Sequence, residues 1–226
     1  MSILDPAGPA AAAVAEVWWA MFWGSVLILT AVTALALYAA CRHPDRRRAI
    51  SPRLLVVGGG LVFPAVVLAA LLGWGVRAGH SLLPLPTDEP VFRVEVTGHQ
   101  FWWQVVYPDA DGGPVQSVDL LLMPVDRPVD IHLRTADVIH SFWVPRLGGK
   151  IDAIPGITNV LRLRAWRPGV FRGQCAEFCG AEHARMALRA EALPDADLAD
   201  RLAALPRADA PPVSPPAAVL GAEAAP

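Results

Sequence analysis

Two thiols, an imidazole and a thioether crowd into one stretch, Cys175-Ala176-Glu177-Phe178-Cys179-Gly180-Ala181-Glu182-His183-Ala184-Arg185-Met186. Thiolate, thioether and imidazole select copper, zinc or iron–sulfur over hard cations, and the thioether leans the choice toward copper. A second imidazole, His140, lies 35 residues before Cys175 in Asp137-Val138-Ile139-His140-Ser141-Phe142-Trp143-Val144-Pro145. Four arrangements compete for these groups. A Cys175–Cys179 disulfide suits an oxidising compartment but leaves His183 and Met186 without a role. A tetrahedral zinc site takes two Cys and two His and leaves Met186 over. A mononuclear blue-copper site needs two His, one Cys and a weak axial Met, so one cysteine is surplus. Two coppers bridged by both thiolates use every group, with one imidazole per metal and Met186 plus a backbone carbonyl completing the set.

The bridged arrangement suits electron transfer. Thiolate bridges stabilise Cu(I), and charge shared over two metals changes each metal–ligand distance less per electron. Ligands drawn from a loop between two strands and from a separate strand are held by a rigid scaffold in both redox states. Both cysteines must lose a proton to bind, so metal loading should rise with pH.

The rest of the chain must position these groups. Its 226 residues are 54% hydrophobic with a net charge of −2, which leaves apolar residues to spare for a membrane portion and gives no basic stripe for nucleic acid. Residues 1–16 are small and mildly acidic, lack the basic start of a secretory signal, and read as a disordered lead. Residues 17–40 carry no charge and suffice for a transmembrane helix, with Trp18, Trp19 and Trp23 at one end as an interfacial belt. Residues 41–53 hold five arginines against one aspartate and read as a cytoplasmic loop. Residues 54–76 form a second apolar run despite Gly58-Gly59-Gly60 and Pro64, so the pattern is a hairpin with both termini outside. Cys41 reads as a free thiol, because the arginines follow it and the topology is wrong for a lipoprotein signal. His43 and His80 read as interfacial polar residues. Residues 77–90 are a proline-rich linker.

Beyond the linker the apolar period falls to two. Val94 and Val96, then Val129, Ile131 and Leu133, alternate with polar neighbours, and further strand-like runs cover 101–107, 118–123, 139–144, 159–166 and 187–193. Many short strands imply a sandwich or barrel over 91–194. His132 falls on a polar face and reads as solvated. Residues 195–226 turn Ala- and Pro-rich: 195–205 allow a short helix, and 206–226 lack the bulky apolar groups to fold.

Taken together, these pieces resemble the subunit II family of the haem-copper oxidases, the cytochrome c oxidases. The resemblance runs from Trp18 to about Leu193 and rests on the two helices, Gly98-His99-Gln100-Phe101-Trp102-Trp103, the His140 segment, Lys150-Ile151-Asp152-Ala153-Ile154-Pro155-Gly156 and the Cys175–Met186 stretch. It implies a two-helix transmembrane hairpin followed by an all-β cupredoxin-like domain on the periplasmic side of a bacterial inner membrane. It implies that a binuclear copper centre, CuA, takes electrons from cytochrome c and passes them to haem in subunit I, where O2 is reduced with proton translocation; subunit III is a further partner. The implied metal ligands are His140, Cys175, the carbonyl of Glu177, Cys179, His183 and Met186. The Glu177 side chain matches a position that holds magnesium at the boundary with subunit I, and Asp152 lies close to it. Phe101, Trp102 and Trp103 are the implied electron-receiving aromatics.

Two departures from that family stand out. Phe101 occupies a position usually held by Trp, which removes an indole donor and shifts the route toward Trp102. No Asp or Glu occurs between Arg46 and Thr87, so the glutamate that feeds a proton channel in many members has no counterpart. An acidic surface for a basic cytochrome c would draw on Asp109, Asp111, Asp119, Asp126, Asp130 and Asp137, with Asp137 the best placed. Quinol-oxidase subunits lack the copper ligands present here, and nitrous oxide reductases lack the hairpin. The alternative from another class is a membrane-anchored copper-binding or assembly protein without an electron partner.

Overall fold

The structure, a computed structural model, describes residues 4–42, 51–80 and 82–209. It divides into a β-rich unit, Met1–Ala12 with Leu82–Pro226, and a helical unit, Ala13–Ser81. The arginine-rich part of the loop expected to be cytoplasmic, including His43, lies outside the described residues, as does the tail beyond Asp209.

Among the described residues, two helical stretches are long and apolar enough to cross a bilayer: Pro9–Cys41 with 33 residues and Leu54–His80 with 27. At about 1.5 Å per residue each exceeds the roughly 30 Å hydrocarbon core. The first, α1 (Pro9–Cys41), starts eight residues earlier than residue 17. Pro9 takes the first helical position, where a missing N–H costs nothing, and the Gly8 carbonyl accepts from Ala12 N–H at 3.0 Å. On α1 the exposed rings of Trp18 and Phe22 stack at 5.3 Å, as do those of Trp19 and Trp23 at 6.5 Å. The second stretch opens as a π-helix, Leu54–Val62, and continues as α2 (Phe63–His80). Phe63 N–H bonds to Gly58 O, five residues back, and the widened turns fall on the glycine triplet, where side chains constrain the backbone least.

Of the expected disordered lead, the described residues 4–16 are not a free segment. Ala7 is buried at 1% exposure, its N–H donating to Arg146 O at 2.8 Å and its carbonyl accepting from Trp166 N–H at 2.9 Å. Arg146 also holds Asp5 through its carboxylate and its main-chain oxygen. An alanine-rich run without large apolar groups hid this docking, which is made by main-chain atoms.

The β-rich unit has ten strands among the described residues: β1 (Phe92–His99), β2 (Trp102–Tyr107), β3 (Val115–Val118), β4 (Leu120–Pro124), β5 (Val129–Thr135), β6 (His140–Trp143), β7 (Ile151–Ala153), β8 (Asn159–Leu163), β9 (Gly169–Cys175) and β10 (Ala187–Leu193). They form two five-stranded sheets, ordered β3-β2-β1-β5-β8 and β4-β10-β9-β6-β7. This is the cupredoxin-like sandwich. Its core comes from the alternating inward residues: Val94 and Val96, Ile131 and Leu133, Trp103 and Val105 on one sheet, Leu121, Phe142, Phe171 and Leu188 on the other, all 3% exposed or less. Burying each large side chain contributes about 1.5–3 kcal/mol before entropy is counted.

Three features of the β unit differ from the sequence reading. The expected strand over 118–123 breaks at Asp119, whose φ of +53° turns the chain from one sheet into the other. Strand β9 carries a glycine at an inward position: a Cβ on Gly173 would meet Trp143 O at 2.9 Å, so the close approach of β6 erases the alternation. The segment Pro206–Asp209, expected to be unfolded, is tied to β3 by Gln116 N–H to Pro206 O at 2.9 Å and Ala208 N–H to Pro114 O at 3.0 Å. Before it, α3 (Asp195–Ala203) buries Leu198 and places Arg201 3.0 Å from the buried Glu191 carboxylate.

Strand directions bring the chemistry to one end. β1 and β5 run parallel, so the turn after His99 and the loop after Thr135 emerge together. β7 runs toward Ala153 beside His140, β8 starts beside Leu133, and β9 ends at Cys175 beside Phe142.

Candidate metal centre

Two ligand candidates, His140 and Cys175, are delivered by strand ends, and the others by the segment between β9 and β10. Cys175 closes β9, where its N–H donates to Met186 O at 2.9 Å, while Ala176 N–H donates to Ser141 O at 2.9 Å. These bonds pin both feet of the loop 176–186 to neighbouring strands. His140 opens β6 and is fully buried, and Cys175, Cys179 and Met186 are at most 5% exposed.

The two sulfurs lie 3.9 Å apart, as free thiols. His140 Nδ1 is 3.9 Å from Cys175 Sγ, and His183 Nδ1 is 3.6 Å from Cys179 Sγ. The Glu177 carbonyl lies 3.2 Å from Cys175 Sγ and Met186 Sδ 3.8 Å from Cys179 Sγ. Each sulfur therefore has one imidazole and one weaker donor of its own. The ligand atoms of His140, Cys175 and Cys179 all fall within 4.8 Å of one another, a compact group that could hold a metal ion. A metal–sulfur bond of about 2.3 Å lets one ion reach both thiolates across this gap. The soft donor set fits copper better than a hard cation.

The thiols are electrostatically unequal. Burial opposes ionisation of Cys175, but hydrogen bonding from His140 and from backbone donors outweighs it and brings its pKa down to about 6. Burial and then the neighbouring Cys175 thiolate push Cys179 up to about 11.

Asp137, expected on a docking surface, is turned inward to the site. Its Oδ1 is 2.7 Å from His140 Nε2 and accepts from Val138 N–H at 2.6 Å, while Oδ2 accepts from Gln100 N–H at 2.7 Å. Burial disfavours the charged carboxylate, yet these donors together hold its pKa below the ordinary value. For His140 burial likewise acts first, and the Cys175 and Asp137 contacts reverse it, raising its pKa. Asp119, the other aspartate at this end, accepts from Trp103 N–H at 2.7 Å. Asp109 and Asp111 lie on the β2–β3 turn, and Asp126 and Asp130 near the start of β5, at the opposite end; Asp130 is paired with Arg162 at 2.7 and 2.8 Å. The six aspartates thus form no common surface. The exposed apolar residues Val138, Ile139, Ile157 and Phe178 sit instead on loops of the metal end.

The three aromatic residues separate by depth. Trp103 is fully buried, its ring edge-on to His140 at 5.8 Å and to Phe142 at 5.6 Å. Trp102 stacks on His99 at 4.2 Å with 3° between planes. Phe101 lies over Gly180, where two of its ring atoms stand 3.0 Å from the position a Cβ would take. On the outer side, Lys150 Nζ is 3.5 Å from Asp152 Oδ1 and 4.0 Å from Glu177 Oε2.

A two-sheet sandwich that gathers soft donors from one loop and one strand end defines a class, the cupredoxin-like domains, here in a chain that also carries apolar helices. Residues 115–193 match the family described as cytochrome c oxidase subunit II, periplasmic domain. The cytochrome c oxidase subunit 2 of Alkalihalophilus pseudofirmus is 52% identical over 106 residues, which make up 47% of this chain and 30% of that protein; the match thus spans under a third of that relative's length. The crystal structure of the periplasmic domain of subunit II of cytochrome oxidase (CoxB) of Bradyrhizobium japonicum is 31% identical with a TM-score of 0.48, covering 54% of this chain and 95% of that one. Over residues 115–193 the β-rich unit is thus similar to the periplasmic domain of the cytochrome c oxidase subunit II family.

Proposed function

We propose that this chain is the electron-receiving subunit II of a cytochrome c oxidase, with His140, Cys175, the Glu177 carbonyl, Cys179, His183 and Met186 holding two copper ions as a CuA centre. The observation that carries this reading is the pair of sulfurs 3.9 Å apart, each with its own imidazole. Copper held by these residues would supply one-electron chemistry, accepting electrons from a cytochrome c for delivery to haem in subunit I, where O2 reduction to water with proton translocation would take place. The chain's own part is to orient the imidazoles, keep water from the buried sulfurs and fix donor positions in both redox states. Asp137 holds His140 with Nδ1 facing the sulfur, and Trp103 walls the other side of that ring.

The two apolar helices cross the inner membrane as a hairpin, with the β-unit on the periplasmic side and subunits I and III as membrane partners. Magnesium would bind at the Glu177 carboxylate together with ligands from subunit I; in the chain by itself Lys150 Nζ stands 4.0 Å from that carboxylate and 3.5 Å from Asp152 Oδ1.

The test is copper per chain together with the electron paramagnetic resonance spectrum of the full chain in detergent. Two coppers sharing one unpaired electron are expected. One copper with a localised spin, or preferential uptake of zinc, overturns the proposal.

A further inference from the structure

Gln100 stands at the junction of everything that meets at the metal end. Its main-chain N–H donates to Asp137 Oδ2 at 2.7 Å, and the same carboxylate holds His140 through Oδ1 at 2.7 Å. Its side-chain amide reaches the other way, Nε2 donating to the carbonyl of Cys179 at 2.6 Å. One residue thereby joins the imidazole beside the first sulfur to the backbone that carries the second.

Gly180 clears space for this contact, and Gly98 for the His140 ring. A Cβ on Gly180, whose φ is +135°, would stand 3.0 Å from Gln100 Nε2 and 3.0 Å from the Phe101 ring. A Cβ on Gly98 would meet His140 Cδ2 at 2.9 Å. The turn after β1 therefore lies directly on the metal loop, and the end of β1, at Gly98, lies against the His140 ring. Side-chain length and polarity at residue 100 are both specified. Asparagine is one methylene shorter and falls short of the Cys179 carbonyl, glutamate sets an acceptor against an acceptor, and leucine leaves that carbonyl without its donor.

We infer that Gln100 is a positioning residue that clamps the aromatic turn bearing Phe101 and Trp102 onto the Cys179 end of the metal loop, so that the electron-receiving surface and the second thiolate move as one body. This rests on the metal-site reading above. Groups that orient metal ligands from behind typically cost about 10–100-fold in metal affinity when removed.

The experiment compares the full chain in detergent with its Q100N and Q100L variants, after circular dichroism has confirmed folding. Two readouts are taken: the rate at which a chelator strips copper, and, in the metal-free chain, the alkylation rate of Cys179 by iodoacetamide, with Cys41 as internal reference. Both variants are expected to release copper about ten-fold or more faster, with an altered paramagnetic spectrum, and to alkylate Cys179 faster while Cys41 is unchanged. Equal release and equal alkylation in the wild type and the folded variants overturn the clamp. If the wild type holds no copper, the metal-site reading falls and the alkylation comparison alone decides the clamp. Should Q100L fail to fold, Q100N carries the same two outcomes.

Discussion

Asp137 Oδ1 lies 2.7 Å from His140 Nε2, which leaves Nδ1 of the same ring facing Cys175 Sγ at 3.9 Å. An ionised carboxylate accepts hydrogen bonds and cannot donate, so Nε2 carries a proton; Nδ1 then donates to the Cys175 thiolate in the metal-free chain and offers a lone pair to the site once its own proton is lost. Asp137→Ala is expected to lower copper affinity about 10–100-fold by freeing the ring. Asp137→Asn is expected to lose less, because an amide oxygen still accepts from Nε2 while its NH2 opposes the Gln100 N–H. Competition against a chelator of known affinity measures both, and equal affinity in all three chains would refute the role assigned to Asp137.

Copper loading is expected to depend on pH through a single thiol. Between the Cys175 value of about 6 and the Cys179 value of about 11, one thiol is ionised and the other must give up its proton to bind. Apparent affinity should then climb about tenfold per pH unit across neutral pH, with about one proton released by the thiol pair. Calorimetry in buffers of different ionisation enthalpy counts that proton.

Asp119 should make the fold weaker at neutral pH than it could be. Burial raises its pKa to about 6 against the hydrogen bond from Trp103 N–H, so the folded state binds a proton more tightly than the unfolded chain. Stability contributed by that proton is present below the unfolded value near 3.8 and is lost as pH rises through about 6. Asp119→Asn removes the buried charge, keeps the acceptor for Trp103, and suits the φ of +53°. The gain is expected to be on the order of 1–2 kcal/mol above pH 7, fading between pH 6 and pH 4. A melting series across pH checks it; a gain constant with pH would assign the whole effect to the backbone.

Docking of the chain's start can be tested at Gly8. A Cβ there collides with the Arg164 carbonyl and stands 3.2 Å from Leu147 O, so Gly8→Ala must push the segment off its seat. A cost of about 1–3 kcal/mol is typical of such overpacking. Faster hydrogen exchange at the Ala7 and Trp166 amides, with the β9 and β10 amides unchanged, is the expected result.

The strands that show in the sequence are those whose inward positions carry large side chains. Val94 and Val96, then Val129, Ile131 and Leu133, announce β1 and β5, and 187–193 coincides with β10. Strand β9 stayed hidden because Gly173 takes an inward place, and β7 because three residues carry no period. The ligand candidates were legible because their chemistry is unusual at that spacing. The residues behind them were not. Nothing in the sequence says that Gln100 reaches Cys179, 79 positions away. Asp137, three residues before His140, looked like any exposed aspartate until the loop bent it back onto the imidazole. The acidic surface failed for the same reason: strand direction, which sequence does not display, sends Asp109 and Asp111 to the far end.

The separation of the site's parts along the chain bears on its biogenesis. His140 and Cys175 are 35 residues apart and meet only when β6 lies against β9, while Gln100 and Cys179 meet only when both sheets have closed over the core. Contacts between residues so distant in sequence form late, after the local ones. An unfinished chain therefore carries two thiols and His183 on one stretch, without His140 held beside them. Only the finished fold brings the full donor set together.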